Sequence, residues 1–408
     1  MEHFAAATGQ RDGHAETSDN RKSPSVLVHS ARMVTGGEVI EDAWIAFEGK
    51  TIDVVGTGDS WKRHLNGAPG PRPEIVHAAG QWLLPGFVDI HCHGGGGYSF
   101  ESADHAPLAL DLHRRHGTTR SVLSLVSNPL PVLRQQITAA GELMAVDELV
   151  LGVHLEGPFL DAGHKGAHDA LSLRVPDPET NAELMSMGAG LIRHITLAPE
   201  LPGAMEAIGL WAAQGTTVAV GHTNADFSVA MAAFDAGATV LTHAFNAMNG
   251  LHHRAPGPVA AAIRTDGVTL EIVNDGVHVH PDVVRMAFAA APGRVALVSD
   301  AMAAAGAEDG EYHLGALSVT VRGNRAVLTQ GGALAGSTLT LDAALAHAVK
   351  VVGLDIAAAA MALTEIPAKA IGYGHKLGKL SSGYAADAVL LDAELEVQEV
   401  WAAGSRLR

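Results

Sequence analysis

Five short apolar runs in this chain end in residues that bind metals or move protons. GFVDIHCH ends in His91 and His93, LGVHLEG in Glu156, TVAVGH in His222, TVLTH in His243 and RVALVSD in Asp300. In an extended strand residues i and i+2 face the same way, so His91 and His93 point together while Cys92 points opposite. Imidazole nitrogen and carboxylate oxygen suit Zn²⁺ and tolerate Fe²⁺, Mn²⁺ or Co²⁺. A carboxylate buried among imidazoles is costly unless a dication balances it. A single His at a strand end is more often a core or rim residue than a ligand. The recurrence at strand ends carries the signal, and it predicts His91, His93, Glu156, His222 and His243 as metal ligands, with Asp300 beside them.

Residues this far apart in sequence can meet only if the fold brings strand ends together. Eight apolar runs, from WLLPGFVDIH through TTRSVLSLV, LVLGVHLEG, IRHITLAPE, TTVAVGH, TVLTHAF and VTLEIVNDG to RVALVSDAM, alternate with Ala-rich helical stretches. That alternation predicts an α/β protein with a (β/α)8 TIM barrel over residues 83–375, whose active site lies at the carboxyl ends of the strands. No GxGxxG or GxxxxGK[ST] element follows an early strand, which argues against a nucleotide site. Different texture flanks the barrel. SVLVHSARMV, EDAWIAFEG and KTIDVVGTG at one end and DAVLLDAELEVQEVWAAGSRL at the other are β-rich, and predict a small β-sandwich-like domain from 24–82 and 376–408. Residues 1–23 are polar and aperiodic and are expected to form a disordered tail. LDIAAAAMALTEIPAKAIG is expected to be a helix ending near Pro367, followed by a shorter one.

Composition narrows the partners. The chain has 408 residues, 47% hydrophobic, a net charge of −17 and only 27 Lys and Arg, so a large core is expected and a nucleic-acid partner is not. The one cysteine, Cys92, excludes an intramolecular disulfide and suggests a reducing compartment. No secretory pattern and no membrane-length apolar run are present, so a soluble cytoplasmic protein without a membrane partner is expected. Cys92 itself is expected to be a small buried hydrophobe. His113 and His116, three apart on a helical stretch, are expected to face solvent, and His252 and His253 lie in a loop.

Taken together, LPGFVDIHCHGG, the terminal β segments and SGYAADAVLLD resemble the amidohydrolase superfamily. Within it, HLEGPF, GHTNA, THAFNAM, the RAPG loop and VSDAM resemble the deacetylases of N-acetylated amino-sugar 6-phosphates, from about Val26 to the C-terminus. That resemblance implies Glu156, His222 and His243 around a main metal, with His91 and His93 completing a second site. One or two divalent ions per subunit are implied, zinc first, and a homodimer. The implied reaction converts N-acetylglucosamine 6-phosphate to glucosamine 6-phosphate and acetate. The galactosamine epimer or another cyclic amide is the alternative substrate, and a barrel without catalysis the alternative in kind. By the same resemblance Asn246, Ala247, Arg254 and His278 contact the phosphate or sugar. The chain departs from the family's usual REPG by carrying Ala255 after Arg254.

An amide is a poor electrophile, so its hydrolysis needs an activated water, a polarised carbonyl and a protonated leaving amine. Asp300 reads as the general base that later returns the proton, or else as a helix N-cap. His168, in KGAHD after the glutamate strand, reads as the group that polarises the carbonyl, or else as a surface histidine. Leu334 to Ser337 are expected in a loop near the substrate.

Overall fold

The eight apolar runs form eight strands in parallel register: β1 Phe87–Cys92, β2 Thr118–Val126, β3 Val150–Glu156, β4 Ile192–Leu197, β5 Thr217–Val220, β6 Val240–Leu241, β7 Thr269–Val273 and β8 Val295–Val298. The computed structural model describes residues 25–66 and 72–408, so the predicted tail lies outside the described residues. A parallel strand covered by helices outside and side chains inside has no wet face, which is why these runs read as nearly continuous apolar sequence. The last strand returns to the first through Asp300 N–H donating to the His91 carbonyl at 2.8 Å and His93 N–H donating to Ala301 at 2.7 Å. Those two bonds set Asp300 beside the β1 histidines. Among the described residues no helix is long and apolar enough to cross a membrane.

Both ends of the described residues meet in a second, eight-stranded sheet. Val26–Thr35, Glu38–Glu48, Thr51–Thr57, Glu74–His77 and Trp82–Pro85 join Ala388–Leu391, Val397–Ala402 and Ser405–Arg406. Its core packs Phe47 edge-on against Trp401 at 6.2 Å, with Met33, Ile45 and Leu83 around them. Trp82–Pro85 pairs antiparallel with Ala388–Leu391 immediately before β1, so this sheet anchors the start of the barrel.

A buried ion pair ties sheet to barrel. Arg120 on β2 donates from Nε and Nη2 to the two Asp387 oxygens at 2.7 and 3.0 Å, and from Nη1 to the Glu148 carbonyl at 2.9 Å. Asp387 also accepts from Ala403 N–H at 2.7 Å. Removing one partner of such a pair strands the other, so Asp387→Ala should cost about 3–5 kcal/mol. A melting temperature equal to that of the wild type would refute this.

Two expectations need correction. The Ala-rich helix ends at Leu363 rather than near Pro367, because Thr364 leaves helical backbone at φ −132, ψ −80. Pro367 instead sits in the first turn of the helix Glu365–Ala370, where an absent N–H breaks no helical bond. His113 is buried rather than facing solvent: its Nε2 lies 2.9 Å from the Gly94 carbonyl and 3.4 Å from Cys92 Sγ. The helix carrying it, Ala106–Arg115, packs that face on the glycine run, where small residues leave room for a ring. Its neighbour His116 is half-buried and pairs with Asp342 at 2.8 Å. Cys92 is buried as expected, and burial pushes its thiol up to about 12.

Between β8 and the next helix the chain adds a small antiparallel sheet, Gly310–Leu314, Leu317–Arg322 and Arg325–Leu328, which sequence reasoning left unassigned. Val319, Val321, Ala326 and Leu328 pack it onto Met302, just after Asp300. Its Leu314 lines the cavity at the barrel mouth.

Candidate active site

Inward-facing residues of β1 alternate, so Asp89, His91 and His93 share the barrel interior while Ile90 and Cys92 face out. Glu156 closes β3. His222, His243 and Asp300 each lie two residues past the end of β5, β6 and β8, rather than at the strand terminus itself. All three adopt left-handed backbone, with φ of 48, 26 and 46. Such conformations cost non-glycine residues of order 1–3 kcal/mol each, and surrounding structure must hold them. Gly221 shows how tightly: a Cβ there would meet Thr196 and Thr242 side-chain atoms at 2.7 Å.

The four predicted histidine ligands converge on the fifth, Glu156. Its Oε1 lies 2.9 Å from His222 Nε2, 3.2 Å from His243 Nε2 and 3.5 Å from His91 Nε2. Its Oε2 lies 3.2 Å from His93 Nε2 and 3.3 Å from His168 Nε2. Two triads result, His91–His93–Glu156 and Glu156–His222–His243, each with ligand atoms within 4.8 Å of one another. Asp300 Oδ1 sits 3.4 Å from His93 Nε2 and 3.6 Å from His91 Nε2.

The donor set fits a divalent cation. His222 Nδ1 donates to the His164 carbonyl at 2.9 Å, and His91 Nδ1 faces Glu271 Oε2 at 3.2 Å. In a neutral imidazole those bonds leave Nε2 as a lone pair. The Nε2 atoms crowd together around one carboxylate, with His222 and His243 Nε2 only 2.9 Å apart and His91 and His93 Nε2 3.2 Å apart. Acceptors facing acceptors in a buried site repel unless positive charge lies between them.

The titration behaviour points the same way. Burial works to lower His91, yet the Asp300 and Glu156 carboxylates raise it well above the ordinary imidazole value. Burial likewise opposes His93, but hydrogen bonds to Asp300 and Glu156 bring it up to about 9. Against burial, His91 holds Asp300 down to about 2, and His91 with His168 holds Glu156 well below the carboxylate range. His222 is lowered to about 4 by burial and is therefore neutral. The carboxylates keep their charge, and positive charge is favoured at the centre.

A cavity of about 530 Å³ opens over the cluster. Its walls include Lys165, His168, Asn246, Ala247, His278 and Leu334. Burial alone would lower His278, but Asp275 Oδ2, 2.7 Å from its Nδ1, raises it, adding positive character to the wall. Arg254 is exposed and does not line this cavity, and His252 and His253 are exposed beside it.

Sequence reasoning missed the polar layer beneath the predicted ligands. His154 lies 2.9 Å from Ser124 Oγ and 2.8 Å from Thr196 Oγ1, and stacks on His194 at 4.1 Å. Asp89 and Glu271 are also buried there. The signal was available: His154 stands two before Glu156, as His91 does before His93, and Glu271 interrupts an otherwise apolar strand.

Parallel strands closing on a histidine–carboxylate cluster at their carboxyl ends define a barrel hydrolase of the metal-dependent kind. The amidohydrolase family matches residues 82–406, and the chain belongs to that family. It is 37% identical to the N-acetylgalactosamine-6-phosphate deacetylase of Escherichia coli O157:H7, over 81% of this chain and 89% of that protein. It is 33% identical to the N-acetylglucosamine-6-phosphate deacetylase of Bacillus subtilis, over 91% of this chain and 94% of that one. The crystal structure of N-acetyl-D-glucosamine-6-phosphate deacetylase from Mycobacterium smegmatis superposes with a TM-score of 0.86 at 36% identity, covering 94% of this chain and 100% of that chain.

Proposed function

We propose that this chain removes the acetyl group from N-acetylglucosamine 6-phosphate, releasing glucosamine 6-phosphate and acetate. The observation that carries this reading is that Asp300 and His168 both border the Glu156 cluster and both line one cavity. A divalent ion held in the cluster, zinc in the first place, would supply an acidified water and Lewis-acid polarisation of the acetyl carbonyl. Glu156, His222 and His243 would hold the main ion, and His91 and His93 with Glu156 a second. Asp300 Oδ1 takes the proton from the attacking water and delivers it to the leaving amine. His168 is set up as a donor: Ser127 N–H donates to its Nδ1 at 3.2 Å, so the ring proton resides on Nε2 and points into the cluster. From there it can bond the oxygen on which negative charge develops. Lys165 Nζ donates to the His168 carbonyl at 3.0 Å and steadies that loop.

Removing an oxyanion donor of this kind typically slows turnover about 100- to 1000-fold. His168→Asn should do so with little change in KM, and steady-state kinetics showing unchanged kcat would reject the role.

The phosphate is assigned to His278, the Asn246 side chain and the Ala247 backbone. Arg254, exposed on its own chain, is assigned to the cavity of a partner in a homodimer, with Ala255 altering how its loop is braced. A cytoplasmic location goes with this metabolic reading. The relative from Escherichia coli favours a second substrate, the galactosamine epimer. Acetate release from the two epimers, each with and without phosphate, separates the readings. Indifference to phosphate would reject the His278 and Arg254 assignments. A purified chain with neither stoichiometric metal nor hydrolysis would mark a non-catalytic barrel.

A further inference from the structure

We infer that Glu271 is a positioning residue for His91 and thereby determines whether the His91–His93 side of the cluster holds an ion, an inference that rests on the metal-dependent reading above. β7 is buried along its whole length, and Glu271 within it is 0% exposed. A carboxylate placed there is costly unless its oxygens are used. Oε2 is used twice. It faces His91 Nδ1 at 3.2 Å and accepts from the His243 main-chain N–H at 3.3 Å. Oε1 lies 3.8 Å from His194 Nδ1, beyond hydrogen-bond reach.

A carboxylate only accepts, so it holds the His91 proton on Nδ1 and turns the Nε2 lone pair toward Glu156, His93 and Asp300. A proton on Nε2 would block ligation outright. The other cluster rings are treated differently. His222 Nδ1 rests on a neutral carbonyl, and His243 Nδ1 is buried with no partner. Of these three rings, His91 alone has a carboxylate behind it. Such support raises the basicity of the ring, and losing it weakens metal binding by about 10- to 100-fold. The effect should therefore fall on the ion that His91 binds. The main-chain bond to His243 is the competing explanation, since it would make Glu271 a brace for the other triad.

The full chain, stripped by chelation, is titrated with Co²⁺ and followed by visible absorption and by competition with a chromophoric chelator. The wild type should take two ions. Glu271→Gln, nearly isosteric, should bind one ion as the wild type does and the other about 10- to 100-fold more weakly. His91→Asn should lose that same ion, and adding Glu271→Gln to it should weaken nothing further, because the two act as one unit. Should Glu271→Gln fail to fold, Glu271→Asp withdraws the carboxylate by one methylene and should show the same selective loss. Two ions at unchanged affinity in the variant, equal weakening of both, or a wild type that binds a single ion would each overturn the inference. No substrate enters the titration, so failure of the deacetylase reading would show separately, as a wild type holding two ions and releasing no acetate.

Discussion

Asp300→Asn should lower turnover by about 100- to 10,000-fold while the chain keeps its metal. The expectation follows from where Asp300 stands. Its Oδ1 is 3.4 Å from His93 Nε2 and 3.6 Å from His91 Nε2, at the edge of the cluster and outside both ligand triads. Its structural bonds are made by backbone: its N–H donates to the His91 carbonyl at 2.8 Å and its carbonyl accepts from Ser337 N–H at 2.7 Å. Those survive the substitution. Asn also tolerates left-handed backbone better than most residues, so the φ of 46 at this position is kept at little cost. What Asn cannot do is accept a proton from water. Metal analysis and single-turnover acetate release test this together; full turnover, or loss of the metal, would reject the assignment of Asp300 as base.

Glu156→Gln should have the larger effect, because both triads share this one carboxylate. The amide keeps the shape and loses the charge that faces His91, His93, His168, His222 and His243. With it goes the balance of charge that allows a dication to be buried at all. The variant should purify with less than about a tenth of the wild-type metal, and its hydrolysis should match that of wild type exhaustively treated with chelator, since the acidified water comes from the ion. Zinc added back should rescue the chelated wild type and not the variant. A variant with full metal content, or a chelated wild type with full activity, would reject the metal-dependent reading itself.

The two substitutions separate functions that the short distances run together. Asp300 and Glu156 are both buried acids held below the ordinary carboxylate range by His91. Geometry tells them apart. Glu156 is approached by five imidazoles and Asp300 by two, so one reads as a ligand hub and the other as a base at the hub's margin.

Much of the site was legible in the amino-acid sequence because strand periodicity is local. The spacing of His91 and His93 places them on one face whatever surrounds them, and a strand buried on both sides must read as an apolar run. The barrel follows from repetition of that run between helices. What local periodicity does not contain is the backbone beyond a strand end or the neighbour across the barrel. That His222, His243 and Asp300 turn inward through left-handed conformations depends on packing as close as that around Gly221. That Glu271 stands behind His91 depends on side chains 180 positions apart meeting inside the closed barrel. The burial of His113, the small sheet at the mouth and the exposure of Arg254 are likewise decided by which surfaces come together. Residue type and period determined which side chains could serve a metal-dependent hydrolase; barrel closure decided their distances, their tautomers and which of them share a single carboxylate.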